Sequence, residues 1–592
     1  MNLDPITFEV LSSSFKNITD LMGDTLKRVS RSPIIYDSVD FSNALFDDSC
    51  QLFAQTTNVP VHLASMHFSA VESIRRYQGQ LYDGDIVVLN DPYMGGTHIP
   101  DVTFTMPIFF EESLLCYAAS RGHWTDLGGG AAGSRMPSAI HIAQEGLRLP
   151  PVKVYERGKV VEAIRDIIGS NTRVPDQNLA DLEGHRAALL IAEREMKKLA
   201  ERHGEDLIRQ CMGELLSYTE KRTRAAILSI ADGTYSARDY VDCDGVTGDP
   251  HYISVTLTVL GDEITVDFSG TDKMAKGGIN YPYAGTCSAV YWSLKFFLDP
   301  DAPPNAGMYR PIKIILPEDT FINAKWPVPV FMGNMITSER IADVIWEALA
   351  QAVKDKMVAM PYGDSNGVTI SGLDRSRSFV FMDLPPGGWG ATSKHDGMNA
   401  TYSRQGNCMD LDIELAEALY PTRITRRELI QDSGGPGKFR GGLSLRTGFT
   451  PTSADVVVGH TTSRTKDGPP GIFGGKNGRP GRSIKNYERS DSEVIAGWLE
   501  NGDWKICMFD NVQMKKGEDI TLELQGGGGW GSPYDRDPEA VLHDVLDGYV
   551  SIDAAKAQYG VIIDSRTMQI NLMETRKTRA KKSPNNTKEG ES

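Results

Sequence analysis

Two short stretches of this 592-residue chain concentrate side chains that can hold an ion or move a proton. The first is Asp91-Pro-Tyr-Met-Gly-Gly-Thr-His98-Ile-Pro-Asp101, and the second is Arg121-Gly-His123-Trp-Thr-Asp126-Leu-Gly-Gly-Gly130. Imidazole offers a borderline nitrogen and carboxylate a hard anionic oxygen, a mixed donor set that suits manganese, zinc, iron or nickel. His98, Asp101 and His123 are the core of the expected metal set. A loop can place residues three apart on one ion, and a second strand end can bring His123 across. Asp91 and Asp126 are spare carboxylates, as ligands or as acceptors for imidazole N–H groups. His62, in Val59-Pro-Val-His-Leu, could join them. Spacing alone leaves open the alternative of hydrogen-bonded loop histidines, because no HExxH or CxxC pattern is present. His185, His251 and His460 lie in helical or β contexts and are expected to be structural.

The elements that must position these residues can be read from periodicity. Phe8, Leu11, Phe15, Ile18 and Leu21 predict an amphipathic helix over 5–30. Residues 41–55 read as a hairpin turning at Asp47-Asp48-Ser49, and 61–76 as a second helix. Asp85–Asn90 is a short apolar strand leading into the loop that carries His98. Val102–Phe110 and Leu114–Ser120 are further strands, the second ending at Arg121-Gly-His123. Both candidate clusters therefore sit just off strand ends, where a rigid scaffold can present a site.

The expected fold is α+β and multidomain. Its parts are an N-terminal α/β region (1–175), a helical segment (176–232), a mixed region (233–360), a glycine-rich β region (361–535), C-terminal helices (536–575) and a disordered basic tail (576–592). The long polar helices of 180–230 would bridge domains or pack on a partner.

Bulk properties exclude several classes. Net charge is −16, against nucleic acid as a partner. No run of eighteen apolar residues predicts a membrane span, and the first residues do not read as a signal peptide. Seven scattered cysteines fit the reduced thiols of a cytoplasmic protein. Glycine loops at 433–442, 468–478 and 526–529 invite a phosphate reading, but none matches GxxxxGK[ST] and no GxGxxG opens a helix after a strand. Tight β-turns are the expected alternative, and if ATP is used another subunit should bind it. No GxSxG elbow supports a serine nucleophile.

Taken in order, Asn90–Asp101, Gly122-His-Trp-Thr-Asp126, Glu145-Gly-Leu-Arg-Leu-Pro-Pro151, Asp267-Phe-Ser-Gly-Thr271, Asp432–Gly442 and Gly526-Gly-Gly-Gly-Trp-Gly-Ser-Pro533 resemble the hydantoinase B/oxoprolinase family. The resemblance runs from about residue 3 to 565. It implies a hetero-oligomer in which ATP is bound by a hydantoinase A-type subunit that phosphorylates the substrate. It also implies a divalent metal, manganese or alternatively zinc or magnesium, since the acetone carboxylase branch carries a His-x-x-Asp plus later His site matching His98, Asp101 and His123. The implied reaction is opening of a small cyclic amide, a 5-substituted hydantoin giving an N-carbamoyl amino acid. Alternatives are a 5-oxoprolinase or lactamase activity, a ketone carboxylase, or a non-catalytic scaffold. Adjacency makes Asp126 the expected general base or ligand orienter and Arg121 the group that neutralises phosphate or oxyanion charge.

Overall fold

The computed structural model describes residues 3–56, 58–453, 456–497 and 507–582. It is a mixed α+β molecule built on several sheets. Among the described residues, no helix is long and apolar enough to cross a membrane.

The first helix, α1 (Pro5–Val29), starts where Asp4 accepts from the amides of Ile6 and Thr7, with Pro5 in the first turn. Its buried stripe is Phe8, Leu11, Phe15, Ile18, Met22 and Leu26. Leu21, read as part of that stripe, lies at the exposed margin, and Met22 takes its place. The chain then forms β1 (Phe41–Phe46) and β2 (Leu52–Gln55). Asp47 closes their turn by accepting from the amides of Ser49 and Gln51. Helix α2 (His62–Arg76) and strands β3 (Ile86–Leu89), β4 (Asp101–Phe110), β5 (Ser113–His123), β6 (Val152–Glu156) and β7 (Lys159–Val160) follow. The seven strands make one antiparallel sheet in the order β2-β1-β5-β4-β3-β6-β7.

Side chains alternate across this sheet. Arg121 points to α2, where it bonds Ser65 and Ser69. Its neighbours Ser120 and Gly122 face His185 on the opposite side. His185 belongs to α3 (Pro175–His203), which is followed after Gly204 by α4 (Glu205–Ile227). The sequence predicted that these long polar helices would bridge domains or serve a partner. Instead α3 packs along α1 and the back of the sheet, burying Leu182, Leu189, Ala192 and Met196. Residues on both sides of the boundary expected at 175/176 share one core. One apolar core runs from α1 through the second sheet, β8 (Gly233–Val241), β9 (His251–Leu260), β10 (Glu263–Asp267) and β11 (Ile312–Ile315), to helices α5 (Tyr283–Leu298) and α6 (Thr337–Ala350).

A separate core lies between two further sheets spanning residues 367–523. Beside it the glycine loops converge. They are not isolated β-turns. The run 526–530 threads through their middle, its amides pointing outward in rotation. Gly526 and Gly529 donate to Arg479 and Lys476, Gly527 and Trp530 to Gly442 and Phe439, and Gly528 to Met360. A period of three with lateral bonds is the geometry of an extended threefold helix. A Cβ on Gly527 would land on the Trp389 carbonyl, and one on Gly526 on that of Ser433. Glycine is required here because backbones touch. Residues 576–582, expected in the disordered tail, continue a helix over Leu572–Lys582. The rest of that tail, 583–592, lies outside the described residues.

Candidate metal centre

Asp101 opens β4 and His123 closes β5, and the two are directly opposed partners in the antiparallel ladder. Opposed residues share a face at short range, so strand register alone brings this acid and this imidazole together. His98 arrives from the preceding loop. Asn90 staples that loop by donating to the carbonyls of Ile99 and Leu147 and accepting from the amide of Leu149. Gly95 (φ 88°) lies against the backbone of α2, where Ser69 donates to its carbonyl.

The three donor atoms form a triangle. His98 Nε2 is 3.1 Å from His123 Nδ1, and Asp101 Oδ1 is 3.3 Å from the first and 3.5 Å from the second. Ligands about 2.1 Å from a common tetrahedral or octahedral ion have edges of roughly 3.0–3.4 Å. The residues present therefore fit a divalent cation, and they are the set within reach of one another among the described residues. Asp101 Oδ1 has no hydrogen-bond donor. Its other oxygen accepts from Thr97 and lies 3.5 Å from His62 Nε2, while His62 Nδ1 is tied to Ser42. The far nitrogens, His98 Nδ1 and His123 Nε2, are buried without partners.

Electrostatics set matching protonation states. Burial pushes His98 down to about 3, so its ring is neutral at physiological pH. Burial alone would raise Asp101, but His98 and His62 and the facing imidazole bonds hold it well below the usual carboxylate range. Neutral imidazole and ionised carboxylate are the forms that bind metal.

A small cavity of about 30 Å³ adjoins the triangle, and Asp40, Arg135, Ser365, Tyr402, Gln405 and Cys408 help to line it. Two of these residues change the chemistry read from the sequence. Asp40 sits just before β1, its carbonyl accepting the His123 amide, and burial raises its carboxyl. Arg135 is buried with Nε and Nη1 unpartnered, its remaining contacts being Met382 Sδ and the face of Phe331. Burial lowers it to about 10.

The residues expected to assist are engaged elsewhere. Arg121 is fully buried, and its guanidinium is spent on Thr103, Ser65 and Ser69, which leaves no donor for a substrate anion. Asp126 does not line the cavity. It accepts from the amides of Gly128, Gly133 and Arg173 and pairs with the Arg173 guanidinium at 2.9 Å, fastening the glycine loop to the start of α3. Asp91 accepts from the Tyr93 amide and faces Arg148 at 3.5 Å. His185 bonds Ser120 and stacks on Phe104 behind the sheet, and His460 bonds Ser483. Asp40 offered no sequence signal beyond preceding a strand. Arg135 did: it is the only formal charge between Asp126 and Glu145.

Residues 4–533 match the pattern of the Hydantoinase B/oxoprolinase family, and the chain belongs to it. It is 32% identical over 585 residues to a protein of Pseudomonas sp. (strain NS671) provisionally named as the B component of a D-/L-hydantoinase, covering 95% of each chain. It is also 32% identical over 577 residues to the beta chain of the caprolactamase of Pseudomonas jessenii, covering 95% of this chain and 97% of that one. The crystal structure of the ATP-dependent caprolactamase from Pseudomonas jessenii superposes with TM-score 0.90 at 30% identity, over 98% of this chain and 100% of that one. A nucleotide-free acetone carboxylase structure shares the fold, with TM-score 0.89 at 19% identity over 100% of this chain and 84% of that one.

Proposed function

We propose that this chain is the ring-opening subunit of an ATP-dependent cyclic amide hydrolase. In this reading it converts 5-substituted hydantoins to N-carbamoyl amino acids together with an ATP-binding subunit. The observation that carries the reading is the buried His98–Asp101–His123 triangle beside the unpaired Arg135, in a member of this family. The hydantoinase and caprolactamase relatives are each named as one component of a larger enzyme, which supports a partner.

An amide resists attack because nitrogen feeds electrons into its carbonyl. Phosphorylation of the amide oxygen by the partner, at the expense of ATP, removes that resistance. His98, Asp101 and His123 would hold a divalent ion, manganese or alternatively zinc or magnesium, which when bound would supply Lewis acidity for activating water near neutral pH. His62 and Thr97 fix Asp101 from its other oxygen. Arg135 offers its free N–H donors to the phosphate or developing oxyanion. Asp40, facing the same cavity, takes the proton of the attacking water and returns it to the ring nitrogen as the carbon–nitrogen bond breaks. The oxygen of that water ends on carbon and the nitrogen leaves protonated, giving an acyl phosphate, which a second water hydrolyses to the carboxylate and free phosphate.

The test is His98→Ala in the chain co-expressed with its ATP-binding subunit. Bound metal and ATP-dependent hydantoin opening should both be lost; wild-type metal content and turnover would refute the site. The caprolactamase and 5-oxoprolinase relatives support a lactam as the alternative ring. Parallel assays with caprolactam and 5-oxoproline decide between them.

A further inference from the structure

The cavity beside the triangle is small, about 30 Å³ against about 560 Å³ in the space next to it, so a ring carrying a bulky substituent must borrow room there. The neighbouring space is a cleft of about 560 Å³, within the few hundred to about 1,000 Å³ usual for small-molecule sites. Val59, Tyr402 and Cys408 line both volumes, so a single layer of side chains divides them. Tyr402 and Cys408 sit on a loop that holds left-handed Ala400 (φ 44°) and Asn407 (φ 48°), conformations that cost energy away from glycine.

The cleft's chemistry is apolar. Trp292, Phe296, Trp389 and Met398 supply its rings and thioether, with Phe296 and Met398 exposed at the rim. Its two cations are committed. Lys295 donates to the carbonyls of Asp299, Pro300 and Ala302. Arg404 stacks on Trp292 and Trp346 and pairs with Glu339 and Asp343. Such a surface selects a neutral, bulky, apolar group rather than a carboxylate or phosphate. The Trp389 indole donates to the Tyr402 carbonyl at 2.8 Å, which links occupancy of the cleft to the dividing wall.

We propose that this cleft is the subsite for the substrate's apolar 5-substituent, and that the Tyr402–Cys408 wall moves aside so the ring reaches the His98–Asp101–His123 face. The proposal rests on the cyclic-amide reading above and narrows the substrate class to rings with large aryl or branched alkyl substituents.

The test compares unsubstituted hydantoin with 5-benzylhydantoin in the co-purified enzyme, wild type against Met398→Trp, which fills the rim. The ratio of kcat/KM for the benzyl over the unsubstituted ring should fall by about tenfold or more in the variant, and calorimetric binding of 5-benzylhydantoin should weaken in parallel. An unchanged ratio with unchanged binding overturns the subsite, as does a wild-type enzyme that neither binds nor prefers the benzyl ring. If the wild type opens no cyclic amide but still binds 5-benzylhydantoin in a manner that Met398→Trp weakens, the reaction assignment fails and the subsite stands.

Discussion

The candidate metal centre and the glycine bundle solve opposite problems. At the centre, identity lies in side chains. Strand register opposes Asp101 to His123, a stapled loop adds His98, and backbone stays at a distance. In the bundle, identity lies in missing side chains, since successive amides of 526–530 bond three surrounding strands at contact distance. A site built of side chains can lose one and remain folded. A bundle built of backbone has no such slack.

The sharpest way to break this comparison is Gly527→Ala. Its Cβ would meet the Trp389 carbonyl, a backbone group that cannot rotate away. The expected outcome is loss of soluble, cooperatively folding protein, checked by yield and thermal melting. Recovery of a stable protein would mean that the bundle has room to relax. Next in size is Asp101→Asn, expected to fold, to lose bound metal and to lose more than about 100-fold in turnover, since even the groups that support metal ligands are typically worth 10–100-fold. His62→Gln, which removes such a support, should weaken metal affinity within that range.

Asp126→Asn sharpens the contrast between holding and reacting. Breaking a buried, paired carboxylate costs about 3 kcal/mol, so chemical denaturation should show that loss. Turnover of the folded fraction should stay near wild type, and a collapse of kcat at full stability would restore Asp126 as a base. Acid tests the same contrast through a buried imidazole. Burial pushes His185 down to about 3. The unfolded chain therefore takes up this proton first, near pH 6.5. The contribution is complete above that pH and drains toward pH 3 at about 1.4 kcal/mol per pH unit. His185→Gln should flatten that slope in denaturation measured across the window. Smallest is Gly213→Ala, in α4 with open space at its Cβ position, expected to raise stability by up to about 1 kcal/mol.

Local patterns made much of the scaffold legible. The stripe of α1, the Asp47 hairpin and strands β3 to β5 leave strong short-range signatures, because burial there follows a simple period. His98, Asp101 and His123 could be grouped as candidates because Asp101 and His123 lie at strand ends and His98 on the short loop just before one. Arg121 and Asp126 misled because adjacency in sequence says nothing about direction. Arg121 shares a face with His123 yet spends its donors on α2, and Asp126 turns back to fasten its own loop. The far wall was hidden for another reason. Tyr402, Gln405 and Cys408 reach the cavity from nearly three hundred residues downstream, and no local period records such a meeting. The glycine runs were seen but misread as turns, since a threefold lateral pattern exists only when four or more segments assemble.

The unequal mounting of the three donors has a practical corollary. Asp101 and His123 are welded into the ladder, and a one-residue slip would send both to the wrong side of the sheet. His98 hangs from a glycine-bearing arm that joins no strand ladder and is held instead by the Asn90 side chain and by Gly95 against α2. Directed evolution toward a different ion should therefore be aimed at residues 91–100, with the strands left untouched.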